Sequence, residues 1–305
     1  WAELDTPNGL INQAHECIDR HAASDKATKL AMIWQSSSGA VEEYTYADMK
    51  RETDKVANAF RNAGIVKGDR VFFLSDRIPE LYFGVFGVLK LGAIAAPLFS
   101  AFGPEPIKDR VERAEGKVIV CTPKLLAKVD AIRDQLPSLE TVIVIDTREE
   151  TEVADRDVAW SSIYPDASED FTIEQTGAED WSIMHFTSGT TGLPKGAAHV
   201  HNTVVSHYAT GKYVLDFHED DIYWCTADPG WVTGTSYGMF APWSNGITQV
   251  IDEGGFGANR WYETIQKFKV TVWYTAPTAI RLLMKAGADR ARRYDLSTLR
   301  YVMSV

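Results

Sequence analysis

Phe186-Thr-Ser-Gly-Thr-Thr-Gly-Leu-Pro-Lys-Gly196 is the stretch of this sequence that says most about its fold and function. Its glycines allow backbone N–H groups to approach an anion, its hydroxyls add hydrogen-bond donors, and Lys195 adds a mobile positive charge. An apolar segment, Trp181 to Phe186, leads directly into it and predicts a strand. The stretch therefore predicts a loop that binds phosphate, such as the phosphates of ATP.

Two other interpretations of this stretch are less consistent with its residues. The Walker pattern G-x-x-x-x-G-K-[ST] does not fit, because counting from Gly189 places Pro194 at the second glycine and Gly196 at the Mg²⁺-binding hydroxyl. A mobile polar linker is the other alternative, since runs of Gly, Ser and Thr are common in linkers. The Pro-Lys-Gly that follows the hydroxyls and the apolar strand before them favour a phosphate loop.

The composition is that of a globular protein. Hydrophobic residues make up 45% and charged residues 24% of the 305 residues, which allows a sizeable core in one large domain or two modest ones. The net charge of −11 disfavours a nucleic-acid surface, which would show clustered Lys and Arg. Any anion-binding site must therefore be local.

Cysteine and histidine spacing predicts neither disulfides nor a protein-bound metal. The cysteines are odd in number, widely spaced and without C-x-x-C geometry: Cys17, Cys121 and Cys225. Three neighbouring histidines lack a cysteine or carboxylate cluster that would complete a metal site: His199, His201 and His207. A reducing, cytoplasmic compartment is the simplest expectation.

One apolar segment is long enough to imitate a membrane span. Leu81 to Gly103 contains a single charged residue, Lys90, near its middle, and it is interrupted by Gly92 and Pro97. A bilayer would penalise the buried charge. We therefore expect a buried helix followed by a buried strand, and no membrane partner.

Strands and helices are predicted to alternate along the chain. Thr45 with Asp48 forms a potential capping box for a helix that ends near Gly64. Further helices are predicted at about Pro79 to Leu91, Pro104 to Ala114 and Asn202 to Tyr213. Apolar strands are predicted at Val71 to Leu74, Ala93 to Phe99, Val118 to Cys121, Thr141 to Ile145, Ile222 to Cys225, Thr248 to Ile251, Val270 to Tyr274 and Leu299 to Val305. Near-continuous apolar strands between helices imply parallel sheets covered on both faces.

An acidic stretch interrupts this alternation and suggests a boundary. Residues 147–179 include five acidic residues within a short segment: Glu149, Glu150, Glu152, Asp155 and Asp157. Such a charge run is usually a solvated surface. We therefore expect a first α/β subdomain at 1–146, an acidic connection at 147–179 and a phosphate-loop subdomain at 180–305.

Three segments resemble a known family. Thr187 to Gly196 resembles the phosphate-loop signature of the adenylate-forming superfamily, which contains acyl-CoA synthetases, luciferases and peptide-synthetase adenylation domains. Thr226 to Tyr237 resembles the acid-binding segment of the acetyl-CoA synthetase branch, and Trp273 to Arg281 resembles the strand-to-helix turn that follows there. The resemblance implies an α/β fold, the large N-terminal domain of an adenylate-forming enzyme with two packed α/β subdomains and mostly parallel sheets. It also implies a truncated chain, since a Gly-Glu-Pro motif would follow Val305.

The resemblance implies a ligase that uses ATP, Mg²⁺ and CoA. Such an enzyme activates acetate as acetyl-adenylate and then transfers the acetyl group to CoA, releasing pyrophosphate and AMP. This chain alone is expected to be inactive, because the adenine and ribose contacts and a C-terminal lysine would lie beyond it. Propionyl- and medium-chain ligases, a carrier-protein adenylation domain and a non-catalytic nucleotide- or acyl-binding module remain as alternatives.

The resemblance also implies roles for individual residues. Lys195 and Thr187 would act on the phosphates, together with Ser188, Gly189, Thr190, Thr191 and Gly192. Trp231, Val232, Thr233 and Val305 would line the acid pocket, although core packing is the alternative for Trp231 and Val232. Ala276 and Ala101 would let the pantetheine arm of CoA pass. Relatives carry arginines for the CoA phosphate where this chain has Lys124 and Lys128, and ordinary solvated lysines are the alternative there.

Overall fold

The computed structural model describes residue 4 and residues 10–149, 151–187 and 194–304. Their strands are β1 (Leu30–Gln35), β2 (Val41–Thr45), β3 (Arg70–Leu74), β4 (Ile94–Pro97), β5 (Val118–Cys121), β6 (Thr141–Val144), β7 (Val158–Ala159), β8 (Trp181–Thr187), β9 (Lys195–Val200), β10 (Ile222–Cys225), β11 (Thr248–Asp252), β12 (Val272–Thr275) and β13 (Tyr301–Ser304). Their α-helices are α1 (Arg20–Ala22), α2 (Tyr46–Asn62), α3 (Pro79–Lys90), α4 (Pro104–Arg113), α5 (Pro123–Asp130), α6 (Trp160–Ile163), α7 (Thr203–Tyr213), α8 (Val232–Thr235), α9 (Ala241–Ser244), α10 (Ala258–Phe268), α11 (Pro277–Ala286) and α12 (Ala288–Ala291). Short π-helices span His15–Asp19 and Ser236–Phe240, and a 3₁₀ turn spans Arg133–Gln135.

The chain divides into two compact units, each built on one sheet. Unit 1 comprises Trp1–Glu16, Lys50–Thr203 and Gly230–Val232, and unit 2 comprises Cys17–Met49, Val204–Pro229 and Thr233–Val305. Most neighbouring strands in both sheets are parallel, which confirms the predicted α/β class with mostly parallel sheets.

Unit 1 contains a seven-stranded sheet in the order β7-β6-β5-β3-β4-β8-β9. Its strands pair in parallel except for the last pair, β8 with β9, which is antiparallel. The strand predicted at Val118 to Cys121 matches β5, and all four of its residues are buried. Side chains of β3, β5 and β6 form a core with helices α4 and α5. Burial on both faces explains why these strands are continuous apolar runs.

Helix α3 accounts for the apolar segment that resembles a membrane span. Its Pro79 occupies the first turn, where a missing N–H costs nothing, and every residue of the helix is buried. Strand β4 follows, so the expected buried helix and buried strand are confirmed. No helix in the described part of the chain is both long and apolar enough to cross a membrane.

Lys90, the one charge in that segment, is neutralised inside unit 1. Its side chain is 0% exposed, and its Nζ lies 2.5 Å from a carboxylate oxygen of Asp54, which is also 0% exposed. Lys50 forms a second ion pair with the same carboxylate one helical turn away. A buried charge is tolerated only when it is paired, so Asp54 compensates the charge at the end of α3.

Unit 2 contains a six-stranded sheet in the order β13-β12-β10-β11-β1-β2. Only β1 with β2 is antiparallel. Three tryptophans pack together in this unit. Trp224 of β10 stacks on Trp273 of β12 with 6.0 Å between the ring centroids, and it meets Trp261 of α10 edge-on at 5.4 Å. Such aromatic packing supplies a large buried apolar area in a small unit.

The capping box predicted at the start of α2 is confirmed. The Thr45 hydroxyl accepts a hydrogen bond from the Asp48 N–H at 3.1 Å, and the Asp48 carboxylate accepts one from the Thr45 N–H at 3.0 Å. This reciprocal pair satisfies two N–H groups that a helix start leaves without partners.

The subdomain boundaries predicted from the sequence differ from those of the two compact units. Strands β1 and β2 lie in the predicted first subdomain, yet β1 pairs with β11 of the other sheet. Strands β8 and β9 lie in the predicted phosphate-loop subdomain, yet β8 pairs with β4. Strand pairing between residues far apart in sequence causes this difference, and local composition does not report it.

The acidic segment 147–179 is more than a surface connection. It carries β7, which pairs with β6, and α6, whose Trp160 is buried and meets Phe60 edge-on. Glu149, Glu152 and Asp155 are exposed as expected, but the carboxylate of Asp157 is buried and bonded to Arg133 at 2.7 Å. The segment therefore closes one edge of the seven-stranded sheet.

His201 is a buried neutral histidine just after β9. Its side chain is 0% exposed, and its Nδ1 accepts a hydrogen bond from the Gln13 N–H at 3.1 Å. Burial lowers the pKa of His201 to about 4, with the nearby Asp180 carboxylate opposing that shift. Protonation would both charge a buried ring and remove the acceptor that Gln13 uses.

We expect Asp54→Ala to lower the free energy of unfolding by about 3–5 kcal/mol, because it removes the carboxylate that compensates the buried Lys90 ammonium. Lys90→Met added to Asp54→Ala should recover much of that loss, since Met fills similar volume without charge. Urea unfolding of both variants measures this. Strictly additive losses in the double variant would contradict the role of the ion pair.

Acid should destabilise the protein through His201. The pKa of this ring is lower in the folded than in the unfolded chain, so its contribution is complete above about pH 6.5 and is lost as the pH falls to about 4. That contribution amounts to about 3 kcal/mol. His201→Asn keeps a hydrogen-bond acceptor without titrating, and should show a shallower decline in unfolding free energy across this interval. Parallel pH profiles for the two proteins would refute this assignment.

Candidate active site

Strands β8 and β9 hold the two ends of the glycine-rich segment together. In their antiparallel register Thr187 lies opposite Lys195, and Phe186 lies opposite Gly196. Both Thr187 and Lys195 are exposed, as groups that meet a ligand must be. The pairing brings together the two residues expected to act on phosphate. Ser188, Gly189, Thr190, Thr191 and Gly192, which the sequence also predicts as phosphate contacts, lie outside the described residues.

Strand β8 is fixed in place from both sides. Ile183 pairs with Ala95 of the parallel strand β4, and Ile183 and Met184 are buried. The Ser182 hydroxyl donates to the His199 carbonyl of β9 at 3.1 Å. Thr187 therefore ends a strand at the carboxyl edge of a parallel sheet, where open α/β folds commonly bind ligands.

Trp231 and Val232 are not core residues. Their exposed fractions in the described part of the chain are 47% and 46%. The Trp231 ring lies against two phenylalanines, with centroid distances of 5.7 Å to Phe99 and 6.1 Å to Phe102. Exposed apolar side chains held in a fixed arrangement can form the wall of a binding pocket.

Gly230 allows this arrangement. A Cβ atom at position 230 would lie 2.1 Å from the Phe99 backbone nitrogen and 2.4 Å from the Leu98 carbonyl carbon. Only glycine can let these two backbone segments approach so closely. Gly230 is not among the site residues that the sequence predicts, because its close approach is to a backbone segment more than a hundred residues away in sequence.

Thr233, the next predicted pocket residue, belongs to unit 2 and is partly buried. Gly234 follows it and lies against the Asp228 carbonyl, where a Cβ would be 2.0 Å from the oxygen. The adjoining π-helix is tied to α7 by a 3.1 Å hydrogen bond between the Ser236 hydroxyl and the His207 ring. Val305, also predicted for the pocket, lies outside the described residues.

Ala276 lies at the carboxyl end of β12 in unit 2. It is exposed and immediately precedes α11, whose first residue is Pro277. The preceding Thr275 is buried, and its hydroxyl lies 2.7 Å from the Thr226 hydroxyl at the end of β10. The strand ends of β10 and β12 are thereby held together beside Ala276.

Ala101 lies in a turn of unit 1 that runs from Phe99 to Phe102, whose other residues are partly buried. The Phe102 N–H donates to the Phe99 carbonyl at 3.0 Å, which closes the turn. The Lys128 ammonium donates to the Ser100 carbonyl at 2.8 Å, and so ties helix α5 to it. Ala101 itself is exposed, which leaves the tip of the turn open.

Lys124 and Lys128, the two lysines considered for the CoA phosphate, both contact other residues of unit 1. Lys128 donates to the turn described above, and Lys124 forms a 2.5 Å ion pair with Asp76. Both ammonium groups therefore already have a partner within the protein, and a phosphate would have to compete with it. A role of these lysines in binding the CoA phosphate remains a prediction.

A family model described as AMP-binding enzyme matches residues 18–305. The chain belongs to the AMP-binding enzyme family. Acetyl-coenzyme A synthetase of Bacillus subtilis is 47% identical across 100% of the chain, and that of Rubrobacter xylanophilus is 37% identical across 97%. The crystal structure of an acyl-CoA synthetase from Brucella canis aligns with a TM-score of 0.92, at 31% identity over 99% of the chain.

The chain spans about half the length of these AMP-binding relatives. It covers 54% of the Bacillus protein, 49% of the Rubrobacter protein and 54% of the Brucella chain.

Within the described residues, no group of three or more His, Cys, Asp or Glu side chains is arranged to hold a metal ion. The exposed candidate residues described above are Thr187, Lys195, Trp231 and Val232.

We expect Gly230→Ala to lower the free energy of unfolding by about 1–3 kcal/mol, because the new Cβ forces two backbone segments apart. Gly255→Ala is the matched control: Gly255 is exposed, lies outside the helices and strands, has no positive φ and has open space around its Cβ position. Urea unfolding should show a change within about 0.5 kcal/mol for the control. Equal stabilities for the two variants would disprove the close-approach argument.

Proposed function

We propose that the protein containing this chain is an AMP-forming acetate–CoA ligase. The names of its relatives support this proposal, including one at 47% identity across the whole chain. The single observation that carries it in the structure is the register of β8 with β9, which places Thr187 opposite Lys195 at the two ends of the glycine-rich segment. That arrangement suits a site for the polyphosphate of ATP.

The proposed reaction has two steps. A carboxylate oxygen of acetate attacks the α-phosphorus of ATP, the bond from that phosphorus to the bridging oxygen breaks, and pyrophosphate leaves with the electron pair. The CoA thiol then loses its proton, attacks the acyl carbon of acetyl-adenylate and displaces AMP. The first step depends mainly on alignment and on neutralising charge on the phosphates.

The phosphate residues of the proposal are those of the glycine-rich segment. Lys195 would neutralise charge on the departing β and γ phosphates, and Thr187 would donate a hydroxyl hydrogen bond to them. Ser188, Gly189, Thr190, Thr191 and Gly192 would add hydroxyl and backbone donors. Mg²⁺ would be held chiefly by phosphate oxygens, which is its usual manner of binding nucleotides.

The acid and CoA contacts of the proposal use small or apolar side chains. Trp231, Val232, Thr233 and Val305 would surround the methyl group of acetate. Selection against longer acids would come from excluded volume, because one methylene in an apolar slot is worth only about 1–3 kcal/mol. Ala276 and Ala101, both exposed at turns, would leave room for the pantetheine arm.

The free thiols Cys17, Cys121 and Cys225 are consistent with a cytoplasmic location, which we also propose.

Acid-dependent ATP–pyrophosphate exchange on the full-length protein tests the proposed function. We expect exchange to be fastest with acetate and to decline from propionate to butyrate, because the proposed pocket excludes volume. A preference for a longer acid would keep the adenylation chemistry and reject acetate as the substrate. Absence of exchange with every acid, in folded protein with Mg²⁺, would favour a non-catalytic binding module.

Lys195→Ala in the full-length protein should slow pyrophosphate exchange by about 10- to 100-fold, since one charge-stabilising contact is removed. Formation of acetyl-CoA from supplied acetyl-adenylate should change less than about threefold, because no pyrophosphate leaves in that step. Lys195→Arg, which keeps the charge, is the control. Equal losses in both half-reactions would argue against a phosphate role for Lys195.

A further inference from the structure

Arg110 lies between two aromatic rings of unit 1. It is half-buried on α4, and its guanidinium carbon is 4.2 Å from the Phe102 ring centroid and 5.9 Å from that of Phe186. One of its N–H groups donates to the Pro106 carbonyl of the same helix at 2.6 Å. No carboxylate in the described residues forms a salt bridge with it. The guanidinium is thus directed at the two rings.

The two rings belong to the two parts of the candidate site in unit 1. Phe102 closes the turn that carries Ala101 and contacts Trp231, while Phe186 immediately precedes Thr187 in β8. Phe186 also stacks on the buried Phe72 of β3 at 6.2 Å. The Arg110 side chain is therefore a physical connection between the Trp231 wall and the strand that enters the glycine-rich segment.

The charge of Arg110 makes this connection specific. A guanidinium within about 6 Å of a ring centroid is attracted by the negative face of the ring, and the attraction grows as water is removed. Burial lowers the pKa of Arg110, yet an arginine remains charged at neutral pH. An apolar side chain of the same length would fill the space without attracting either ring.

We propose that Arg110 is a positioning residue that holds the Phe99–Phe102 turn and the Trp231 ring at a fixed distance from Thr187 by binding Phe102 and Phe186. This inference rests on the function proposed above, in which the acid must be aligned with the α-phosphorus of ATP. If the acid is displaced from the α-phosphorus by about 1 Å, such a reaction is slowed strongly. Arg110 contacts neither substrate in this proposal; it sets where the groups that do so are placed.

The test compares three variants of the full-length protein. Arg110→Met removes the charge and keeps the length, and Arg110→Lys keeps a cation. Arg113→Met, on the same helix one turn later and exposed, is the matched control. In acid-dependent ATP–pyrophosphate exchange we expect kcat/KM for acetate to fall about tenfold in Arg110→Met, to stay within about threefold in Arg110→Lys and within about twofold in the control.

A double variant separates positioning from a general structural effect. In the Phe102→Leu background, Arg110→Met should change kcat/KM less than about threefold, because the ring through which Arg110 acts is already absent. An undiminished tenfold loss in that background would overturn the proposal. So would an Arg110→Met variant equal to the Arg113→Met control, or an Arg110→Lys variant as slow as Arg110→Met.

Hydrogen exchange tests the positioning without using activity. Arg110→Met should increase amide exchange about tenfold at Phe102, whose N–H closes the turn, and at the β8 amides beside Phe186, whereas Arg113→Met should not. Unchanged exchange at both places would overturn the inference. Wild-type protein without any pyrophosphate exchange would instead overturn the proposed ligase function, so the two failures are distinguishable.

Discussion

The antiparallel register between β8 and β9 is the constraint on which the candidate site depends. Thr187 opposite Lys195 is one of six paired positions, and a slip of one residue would turn every side chain of β9 to the other face of the sheet. Within this strand pair the Ser182 hydroxyl donates to the His199 carbonyl, and just beyond it the His201 N–H donates to the Asp180 carbonyl at 3.0 Å. A hydroxyl and an ammonium are thereby kept at a common strand end.

A second constraint is the contact of backbone with backbone at Gly230. It brings the chain that carries Trp231 onto the Phe99–Phe102 turn, and the rings of Trp231, Phe99 and Phe102 then pack on one another. Large apolar groups left near half-exposed are normally costly in water. The acid pocket proposed above would give a physical reason for leaving these rings partly exposed.

Local patterns were sufficient for many elements and insufficient for their arrangement. The strands at Val118 to Cys121 and Ile222 to Cys225 are confirmed at both ends, because a run of apolar residues needs burial on both faces. Strand β9 was missed, since Lys-Gly-Ala-Ala has little strand propensity and forms a strand only through pairing with β8. Strand β1 was also missed, and its pairing with β11, more than two hundred residues away, left no local signal for the division into units.

For the candidate site, too, the sequence predicts individual residues but not the contacts that arrange them. The motif residues Thr187 and Lys195 were chosen from chemistry and spacing, and the structure pairs them. Gly230, which allows the Trp231 arrangement, and Arg110, to which we assign a positioning role, were not predicted, because their contacts are with backbone and rings of other segments. A glycine before a tryptophan and an arginine on an ordinary amphipathic helix are each common in sequences that have no such role.

The location of bound phosphate is the measurement that tests this account most directly. A crystal structure of the full-length protein with a non-hydrolysable ATP analogue and Mg²⁺ would provide it. We expect the β and γ phosphates to lie about 2.7–3.2 Å from the Lys195 Nζ and from donors of the segment that Thr187 and Lys195 enclose. Phosphates bound elsewhere, with Lys195 in solvent, would contradict the assignment of this segment and the function built on it.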